Sequence, residues 1–289
     1  VAVTPVLDSL ISAQGTVYCL NMSPQVDKGM SSDGQLLYNL GTLPPYSGAL
    51  LYNQAKGKRL PSLAAQLRAT HATAAIFGED GRTWDKKHVF ECYGYRHVLT
   101  SDDSRLHTPF DSIGADMATA LYACMIADTL RQPFFIQILS VSSHFPFDKP
   151  AGCTDDLPAD PSLSNTENNY LRNIHYLDQS IGALIDGLRK RGILDNTIIV
   201  VASDHHMNMN GSLAPNRPIA FIAANCGRTQ RVDRADQADV FPTLCAMLGL
   251  KRPWRGVGRD MLDTESGYSD NGRSRRSLSD SLLRSDYFK

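Results

Sequence analysis

The sequence predicts an α/β layered fold with a mainly parallel sheet. Two observations support this prediction: short apolar runs without polar alternation, and helical patterns that lie between them. Such runs are typical of strands that are covered on both faces. Helices that alternate with strands along a chain are typical of parallel sheets with helices packed on their faces.

Four apolar runs have the length of strands, namely 73–77 (TAAIF), 134–139 (FFIQIL), 197–202 (TIIVVA) and 219–223 (IAFIA). Helices are indicated from Pro61 onwards, over 115–130 and over 238–248. The clearest helical pattern is an amphipathic stripe whose apolar residues recur every three or four positions: Tyr170, Ile174, Leu177, Ile181, Leu184 and Leu188. Gly192 is expected to end this helix before the third apolar run.

The composition argues for a globular domain and against several classes of function. The chain has 289 residues, of which 42% are hydrophobic, enough for a substantial core. The net charge of −1 lacks the basic field that nucleic-acid binding needs. The six cysteines include no C-x-x-C pair, which argues against zinc-finger and thioredoxin functions, and leaves disulfide pairing open. Residues 264–289 are rich in Ser and Arg, and we expect either a mobile tail or a shortened final segment there.

Asp204 and His205 directly follow the apolar run 197–202. Ligands of open α/β sheets gather at the carboxyl ends of the strands, so this pair is expected on that rim. A carboxylate beside an imidazole suits a divalent metal such as Zn²⁺ or Mn²⁺. The alternative is that Asp204 caps a helix while His205 is a solvated side chain.

Three further loops follow the same logic. His144 comes after the run 134–139 and is a candidate for contacting an anion or acting as a general acid, or else a structural loop histidine. Ser31 lies in a small-residue turn that is expected to begin a helix, where an anion is favoured, although a simple N-cap is the alternative. Trp84 and Lys86 follow the run 73–77; they suit a polar ester head group or belong to an ordinary exposed loop. The four loops are expected to converge on one edge of the sheet.

The order of these motifs resembles a known family. It runs from VTPVLDSL (3–10) and GMSSD (29–33) through the Trp84 loop and SHFPF (143–147) to NYLRNIHYLD (169–178) and NTIIVVASDHH (196–206). This order resembles the sulfatase branch of the alkaline-phosphatase superfamily, and most of all the lipoteichoic acid synthase group of phosphoglycerol transferases. The resemblance covers about residues 3–263 and implies a catalytic domain over 1–263. The implied fold is an alkaline-phosphatase-like three-layer α/β/α sandwich with a mainly parallel central sheet and a small C-terminal subdomain after the Ile219 strand.

The resemblance also implies roles for individual residues. Ser31 takes the place of the metal-bound nucleophile that forms a covalent phospho-enzyme, and Asp204 and His205 match metal ligands. His144 matches a histidine that contacts the substrate. Trp84 and Lys86 match a Trp-x-Arg pair that lines the head-group pocket, with lysine keeping the charge but losing the bidentate fork of arginine. The implied cofactor is a divalent metal, Mn²⁺ or Zn²⁺, with Mg²⁺ or Ca²⁺ as alternatives.

The chain departs from the family pattern in three places. Sulfatases that carry formylglycine need Pro two residues and Arg four residues after the nucleophile, whereas Ser31 is followed by Asp33 and Gln35; this favours phosphotransfer. His206 occupies a position that is glycine in the family. The family also places an acidic metal ligand on a strand ahead of the VTPVLDSL segment, so we expect residues 1–289 alone to bind metal weakly.

The function predicted on this basis is a metal-dependent phosphotransferase that acts on a phosphoglycerol-like lipid head group through a serine phospho-enzyme. One alternative is a hydrolase of the sulfatase or phosphodiesterase type, and another is a catalytically inactive binding domain. The implied partners are a lipid-linked or glycan ester substrate and, through upstream helices outside this chain, a membrane. The domain is then extracytoplasmic, periplasmic or on the cell surface. The oligomeric state stays open.

Overall fold

A computed structural model describes residues 2–26, 30–44, 60–103, 113–154, 156–207, 213, 218–251, 253–263 and 272–285. The helices are α1 (Pro5–Ser12), α2 (Ser31–Leu40), α3 (Leu63–Leu67), α4 (Lys86–Cys92), α5 (Ala115–Thr129), α6 (Asn165–Lys190), α7 (Val240–Met247) and α8 (Gly272–Arg284). The strands are β1 (Val17–Ser23), β2 (Ala72–Phe77), β3 (His97–Leu99), β4 (Phe134–Leu139), β5 (Ile199–Ala202), β6 (Ile219–Ala224), β7 (Gln230–Arg231) and β8 (Ala235–Asp236). The four apolar runs therefore correspond to β2, β4, β5 and β6.

The first sheet is parallel and has the strand order β3-β2-β4. In its register, Ala75 lies opposite Val98 on one side and Gln137 on the other. The central strand β2 is buried at five of its six positions, as expected for a strand with neighbours on both edges and cover on both faces. The α/β layering predicted from the sequence is confirmed by this arrangement.

The second sheet has the order β5-β6-β1-β7, and β8 also pairs with β1. Strand β6 runs antiparallel to both β5 and β1, whereas β7 and β8 run parallel to β1. The sheet structure is therefore mixed: β6 is the antiparallel strand, and the other four strand pairings are parallel, in agreement with the predicted α/β sandwich. An apolar run reports that both faces of a strand are covered, but it carries no information about the direction of its neighbours.

Helix α6 extends further than the apolar stripe on which it was predicted. It begins with a capping box in which Ser164 and Glu167 bond each other's backbone, and Gly192 adopts a φ of +68° just after its end. The helix packs along α5, where a Cβ at Gly187 would collide with the Cys124 side chain. A glycine is therefore needed there for the close approach of the two helices.

The C-terminal part of the chain is built onto the second sheet. Strands β7 and β8 pair with β1, and α7 packs against α2. Part of the predicted mobile tail forms α8, in which Ser279 is fully buried and accepts a hydrogen bond from the Leu43 N–H at 3.0 Å. Leu282 and Leu283 explain the difference, because these sparse apolar residues pack against a hydrophobic cluster. In the part of the chain that the structure describes, no helix combines the length and apolarity that crossing a membrane requires.

Candidate functional site

Ser31 is the first residue of helix α2, as the sequence predicted for a hydroxyl at a helix N-terminus. The same helix lies directly against the segment that follows β5. A Cβ at Gly34 would lie 2.8 Å from the Asp204 Cβ and would also collide with the Asp204 carbonyl oxygen. Gly34 therefore lets the first turn of α2 approach Asp204 more closely than any other residue would.

Asp204 and His205 follow β5 at its carboxyl end, and two side chains hold their backbone. The Tyr38 hydroxyl donates a hydrogen bond to the Ser203 carbonyl. The Gln237 amide, fully buried, donates to the Asp204 carbonyl at 2.6 Å. Burial raises the pKa of the Tyr38 phenol well above its usual range, so this hydroxyl remains a donor at neutral pH. The strand end is thereby held from both α2 and the turn before α7.

The Ser31, Asp204 and His205 side chains converge on one point. The Ser31 Oγ lies 3.4 Å from the His205 Nε2, and the same Nε2 lies 3.7 Å from an Asp204 carboxylate oxygen. The other ring nitrogen of His205, Nδ1, lies 2.8 Å from the His206 carbonyl oxygen. A carbonyl only accepts hydrogen bonds, so Nδ1 donates to it, and this bond leaves Nε2 facing Ser31 and Asp204.

This donor set fits a tetrahedral divalent metal in part. Ligand atoms around one tetrahedral Zn²⁺ are about 3.3 Å apart, since each bond is about 2.0 Å long. The two separations at His205 are close to that value, and hydroxyl, carboxylate and imidazole are suitable donors. Among the described residues, no group of three or more His, Cys, Asp or Glu side chains is placed to hold a metal. Binding through these three residues therefore requires at least one additional ligand.

His144 lies in the loop after β4, and two buried side chains fix that loop. The Asp116 carboxylate accepts hydrogen bonds from the Val141 N–H at 2.7 Å and the Ser142 N–H at 3.1 Å. The Asn173 amide donates to the Ser142 carbonyl at 2.7 Å. Asp116 is 4% exposed, and burial raises the pKa of its carboxyl. The exposed His144 ring is therefore carried by a loop that is fixed from both α5 and α6.

Ser31, His144, Asp204 and His205 line a single cavity of about 1310 Å³. The structure thus brings together residues from three of the four predicted loops, across the ends of β4 and β5. Their chemical roles stay predictions, because the geometry fixes their proximity and not what they bind.

The fourth loop is arranged differently from the sequence-based picture of an exposed cation. Lys86 is fully buried, and its Nζ lies 3.0 Å from the Glu79 carboxylate. The same Nζ lies 5.2 Å from the centre of the Trp84 ring and 5.4 Å from that of Phe77. Glu79 lines the cavity, whereas Trp84 and Lys86 are not among its lining residues. The residue of this loop that lines the cavity is therefore Glu79, whose carboxylate is paired with the Lys86 ammonium.

Sequence reasoning missed the residues that position this site: Gly34, Tyr38, Asp116, Asn173 and Gln237. One of them had a usable signal, since a glycine inside a predicted helix costs stability and indicates a close approach. The others are polar residues within helical or turn segments, and their partners are 25 or more positions away in the chain. Local patterns do not report such pairings.

The sequence matches the sulfatase family over residues 15–250. It is 28% identical to lipoteichoic acid synthase 2 of Bacillus subtilis, an alignment that covers 91% of this chain and 44% of that protein. It is 24% identical to the lipoteichoic acid synthase of Staphylococcus saprophyticus, with the same coverage of 91% and 44%. The chain thus spans less than half the length of these relatives.

Solved structures agree with this relationship at the level of the fold. The lipoteichoic acid synthase LtaP from Listeria monocytogenes superposes with a TM-score of 0.75 at 23% identity, covering 91% of this chain and 70% of that one. The C-terminal periplasmic domain of EcEptC from Escherichia coli, in complex with Zn, superposes with a TM-score of 0.63 at 17% identity, covering 92% and 81%. These similarities confirm the alkaline-phosphatase-like α/β fold that the motif order implied.

Proposed function

Because the chain belongs to the sulfatase family, we propose that it is the catalytic part of a metal-dependent phosphotransferase. The transferred group is phosphoglycerol-like and comes from a lipid donor. The similarity to lipoteichoic acid synthases supports this substrate class. The observation that carries the proposal is the convergence of the Ser31 hydroxyl with Asp204 and His205 at a helix N-terminus.

A divalent metal would be held by Ser31, Asp204 and His205, together with a ligand from outside the described residues. When bound, it supplies charge that lowers the pKa of a coordinated hydroxyl. Zn²⁺ and Mn²⁺ suit the mixture of imidazole and carboxylate, with Mg²⁺ and Ca²⁺ as alternatives. The zinc complex of the EcEptC domain, which shares this fold, is consistent with zinc.

The chain's own residues then carry the chemistry. The Ser31 oxygen forms a bond to phosphorus and loses its proton to solvent, while the bond from phosphorus to the lipid alcohol breaks. His144 gives a proton to the departing lipid alcohol as general acid. The N-terminus of α2 directs the positive end of its dipole toward the phosphoryl oxygens. A lipid or glycan hydroxyl then bonds to phosphorus while the bond from phosphorus to the Ser31 oxygen breaks. The acceptor's proton restores the acid form of His144, and the Ser31 oxygen regains a proton from solvent.

The head group is proposed to bind beside the loop that carries Trp84 and Lys86. The Lys86 ammonium is buried against Glu79, and Glu79, not Lys86, lines the cavity. A bound head group would therefore contact the Glu79 carboxylate. A glycerol hydroxyl suits a carboxylate acceptor such as Glu79. In this arrangement Lys86 holds Glu79 in place, and Trp84 covers the pair.

The proposal includes an extracytoplasmic position. A lipid donor and an acceptor in the cell envelope place the domain at the outer surface of a membrane, anchored through parts of the polypeptide that lie outside residues 1–289. Fractionation of cells that express the full polypeptide, with protease added to intact cells or spheroplasts, tests this placement. Digestion of the domain from outside is the expected result.

The decisive experiment compares Ser31→Ala with Ser32→Ala in the full polypeptide. Both changes remove one hydroxyl from neighbouring positions of the same helix start, and Ser32 is buried. With a fluorescent glycerophospholipid as donor, Ser31→Ala is expected to lower transfer by at least about 1,000-fold because the nucleophile is lost. Ser32→Ala is expected to stay within about threefold. Mass spectrometry of trapped enzyme should find the phosphoester on Ser31.

Three results would contradict the proposal in different ways. Turnover of nitrophenyl sulfate without any turnover of nitrophenyl phosphate or the glycerophospholipid would identify a sulfatase. Water as the only effective acceptor would identify a phosphodiesterase-type hydrolase. Absence of bound metal from the full polypeptide, measured by elemental analysis, together with no turnover, would leave a binding domain of the same fold.

A further inference from the structure

A ring of polar side chains joins helix α2 to strand β4. The Gln137 amide nitrogen donates a hydrogen bond to the Gln35 side-chain oxygen, and the Asn39 amide donates to the Gln35 carbonyl at 2.9 Å. The Tyr95 hydroxyl closes the ring, since it contacts the Asn39 Oδ1 at 3.0 Å and also the Gln137 Oε1. Gln35, Asn39 and Tyr95 are each at most 4% exposed. The four side chains therefore form one largely buried network between two elements that both lead to the candidate site.

The network lies between the two ends of the proposed reaction. Ser31 and Gln35 are four positions apart, so they lie one turn apart on the same face of α2. Gln137 lies two positions before the end of β4, and the loop after this strand carries His144. That loop is itself fixed to α5 and α6. A displacement of Gln35 relative to Gln137 would therefore change the distance between Ser31 and His144.

Apolar packing alone would hold α2 and β4 together without fixing that distance. Phe135 and Leu139 lie on the same face of β4 as Gln137, because side chains alternate along a strand. Both pack in the hydrophobic cluster that contains Leu36 and Leu40 of α2. An apolar pair in place of the two glutamines would suit this surface and would cost little stability. Hydrophobic contact has no preferred direction, whereas hydrogen bonds between amides fix both distance and orientation.

The Ser31 end of the network is fixed to the candidate metal ligands. A Cβ at Gly34 would collide with Asp204, so the first turn of α2 lies directly against the strand end that carries this carboxylate. The network therefore acts between this group of residues and His144, and not within the group. Displacement at phosphorus is in line, with the attacking and leaving oxygens on opposite sides, so nucleophile and general acid must be a fixed distance apart.

We propose that the Gln35–Gln137 pair is a positioning device, which sets the distance between the nucleophile and the general acid. This role rests on the proposed function, in which Ser31 attacks phosphorus from one side and His144 protonates the alcohol that leaves from the other. The Tyr95 hydroxyl orients the Gln137 amide. Burial raises the pKa of this phenol well above its usual range, so the hydroxyl keeps its proton at neutral pH. Both glutamines act through the elements that they connect, and not on the substrate itself.

The dependence of the rate on the leaving group tests this role in the full polypeptide. A lipid alcohol needs a proton from His144 to depart, whereas nitrophenolate departs without one. In single-turnover measurements, Gln137→Leu should lower release of the lipid alcohol by about 100-fold, the loss that a misplacement of about 1 Å can cause. Release of nitrophenolate from a nitrophenyl ester of phosphoglycerol should stay within about threefold, because Ser31 remains beside Asp204. Equal losses with the two substrates would overturn the positioning role.

Two further variants separate positioning from stability. Asn168→Leu removes an amide that is 8% exposed and that bonds the Asp160 and Leu163 carbonyls near the start of α6. This control should lower the urea midpoint and leave the dependence on the leaving group unchanged. In Gln35→Leu/Gln137→Leu neither amide is left without its partner, so the urea midpoint should recover from that of Gln137→Leu while lipid transfer stays low. Recovery of lipid transfer together with the midpoint would show a purely structural role.

Structures of the full polypeptide provide a readout that does not require turnover. In Gln137→Leu, the Ser31 oxygen should shift by about 1 Å relative to the His144 ring, and Asn168→Leu should show no such shift. An unchanged separation in Gln137→Leu would overturn the role of the pair, whatever happens to transfer. Activity that survives Ser31→Ala would instead contradict the proposed function, and the measured shift would still decide whether the two glutamines position these groups.

Discussion

Two buried carboxylates in this protein have the same local chemistry but hold different parts of the chain. Asp116 on α5 accepts hydrogen bonds from two consecutive N–H groups of the His144 loop, at 2.7 and 3.1 Å. Asp178 on α6 accepts from the Val6 and Leu7 N–H groups at 2.8 and 2.9 Å. Their exposed fractions are 4% and 1%.

The two carboxylates share the free-energy cost of burial but hold different segments of the chain. Burial raises the pKa of both carboxyls, because removing the charged form from water costs free energy. Hydrogen bonds from two backbone N–H groups offset part of that cost at each carboxylate. One of them fixes a loop that carries a candidate catalytic histidine, and the other docks the N-terminal helix. We expect similar effects on stability from the two and different effects on activity.

The largest expected effect is that of Asp116→Ala. The change leaves two backbone donors without their acceptor and should lower the free energy of unfolding by about 2–4 kcal/mol. The loop then loses its hold on His144, and a misplacement of about 1 Å can cost about 100-fold in rate. Transfer assays should find kcat lowered by about that factor at temperatures where the variant is folded, with KM changed much less.

Asp178→Ala is the matched control for that variant. Urea unfolding should find a similar loss, about 2–4 kcal/mol, because the same number of hydrogen bonds is removed at similar burial. The kcat should change by less than about tenfold, since the bonded residues are in α1 and not in the His144 loop. Equal losses of kcat in both variants would show that the Asp116 effect is one of general stability.

A smaller effect should appear as coupling within the His144 loop. Asp116 and Asn173 bond the N–H and the carbonyl of the same residue, Ser142. The double variant Asp116→Asn/Asn173→Ala should therefore deviate from additivity by about 1 kcal/mol in unfolding free energy. The pair Asp178→Asn/Asn173→Ala shares no partner and should be additive within about 0.5 kcal/mol. Additivity in both pairs would mean that the two contacts to the loop act independently.

The smallest effect is on the pH dependence of stability. A carboxyl whose pKa is raised in the folded state holds its proton more tightly there than in the unfolded chain. Its contribution is fully present below the unfolded pKa, near 3.8, and is lost as pH rises through the folded pKa. Over this window, wild type should lose stability relative to Asp116→Asn and to Asp178→Asn as pH rises. A loss in the opposite direction for either variant would contradict the raised pKa.

Much of the fold was predictable because its signals are local. The apolar runs located β2, β4, β5 and β6, and the stripe located α6, since covered strands and amphipathic helices leave periodic patterns. The strand-end rule predicted Asp204 and His205 at the rim of the sheet, and the structure has the His205 Nε2 3.4 Å from the Ser31 Oγ. The roles of these residues stay predictions. The direction of β6 and the packing of α8 were not predictable, because each depends on a partner far away in the chain.

The positions of individual side chains also depend on partners that are far away in the chain. A lysine two positions after a tryptophan in a polar loop is typical of an exposed cation, yet Lys86 is buried against Glu79 between two aromatic rings. Asp116 and Asn173 have no distinctive local pattern, although both hold the loop of His144. Their roles arise only when α5 and α6 pack beside the end of β4.

The sequence by itself determined the α/β class, the positions of β2, β4, β5, β6 and α6, and the family, and it predicted which residues lie at the strand ends. These follow from periodicity and from motif order, which are properties of neighbouring residues. Only the tertiary structure decided the antiparallel direction of β6, the burial of Lys86 and the cavity that residues of β4 and β5 line. These depend on pairing between distant segments, where backbone hydrogen bonds and burial select a partner that local sequence does not name.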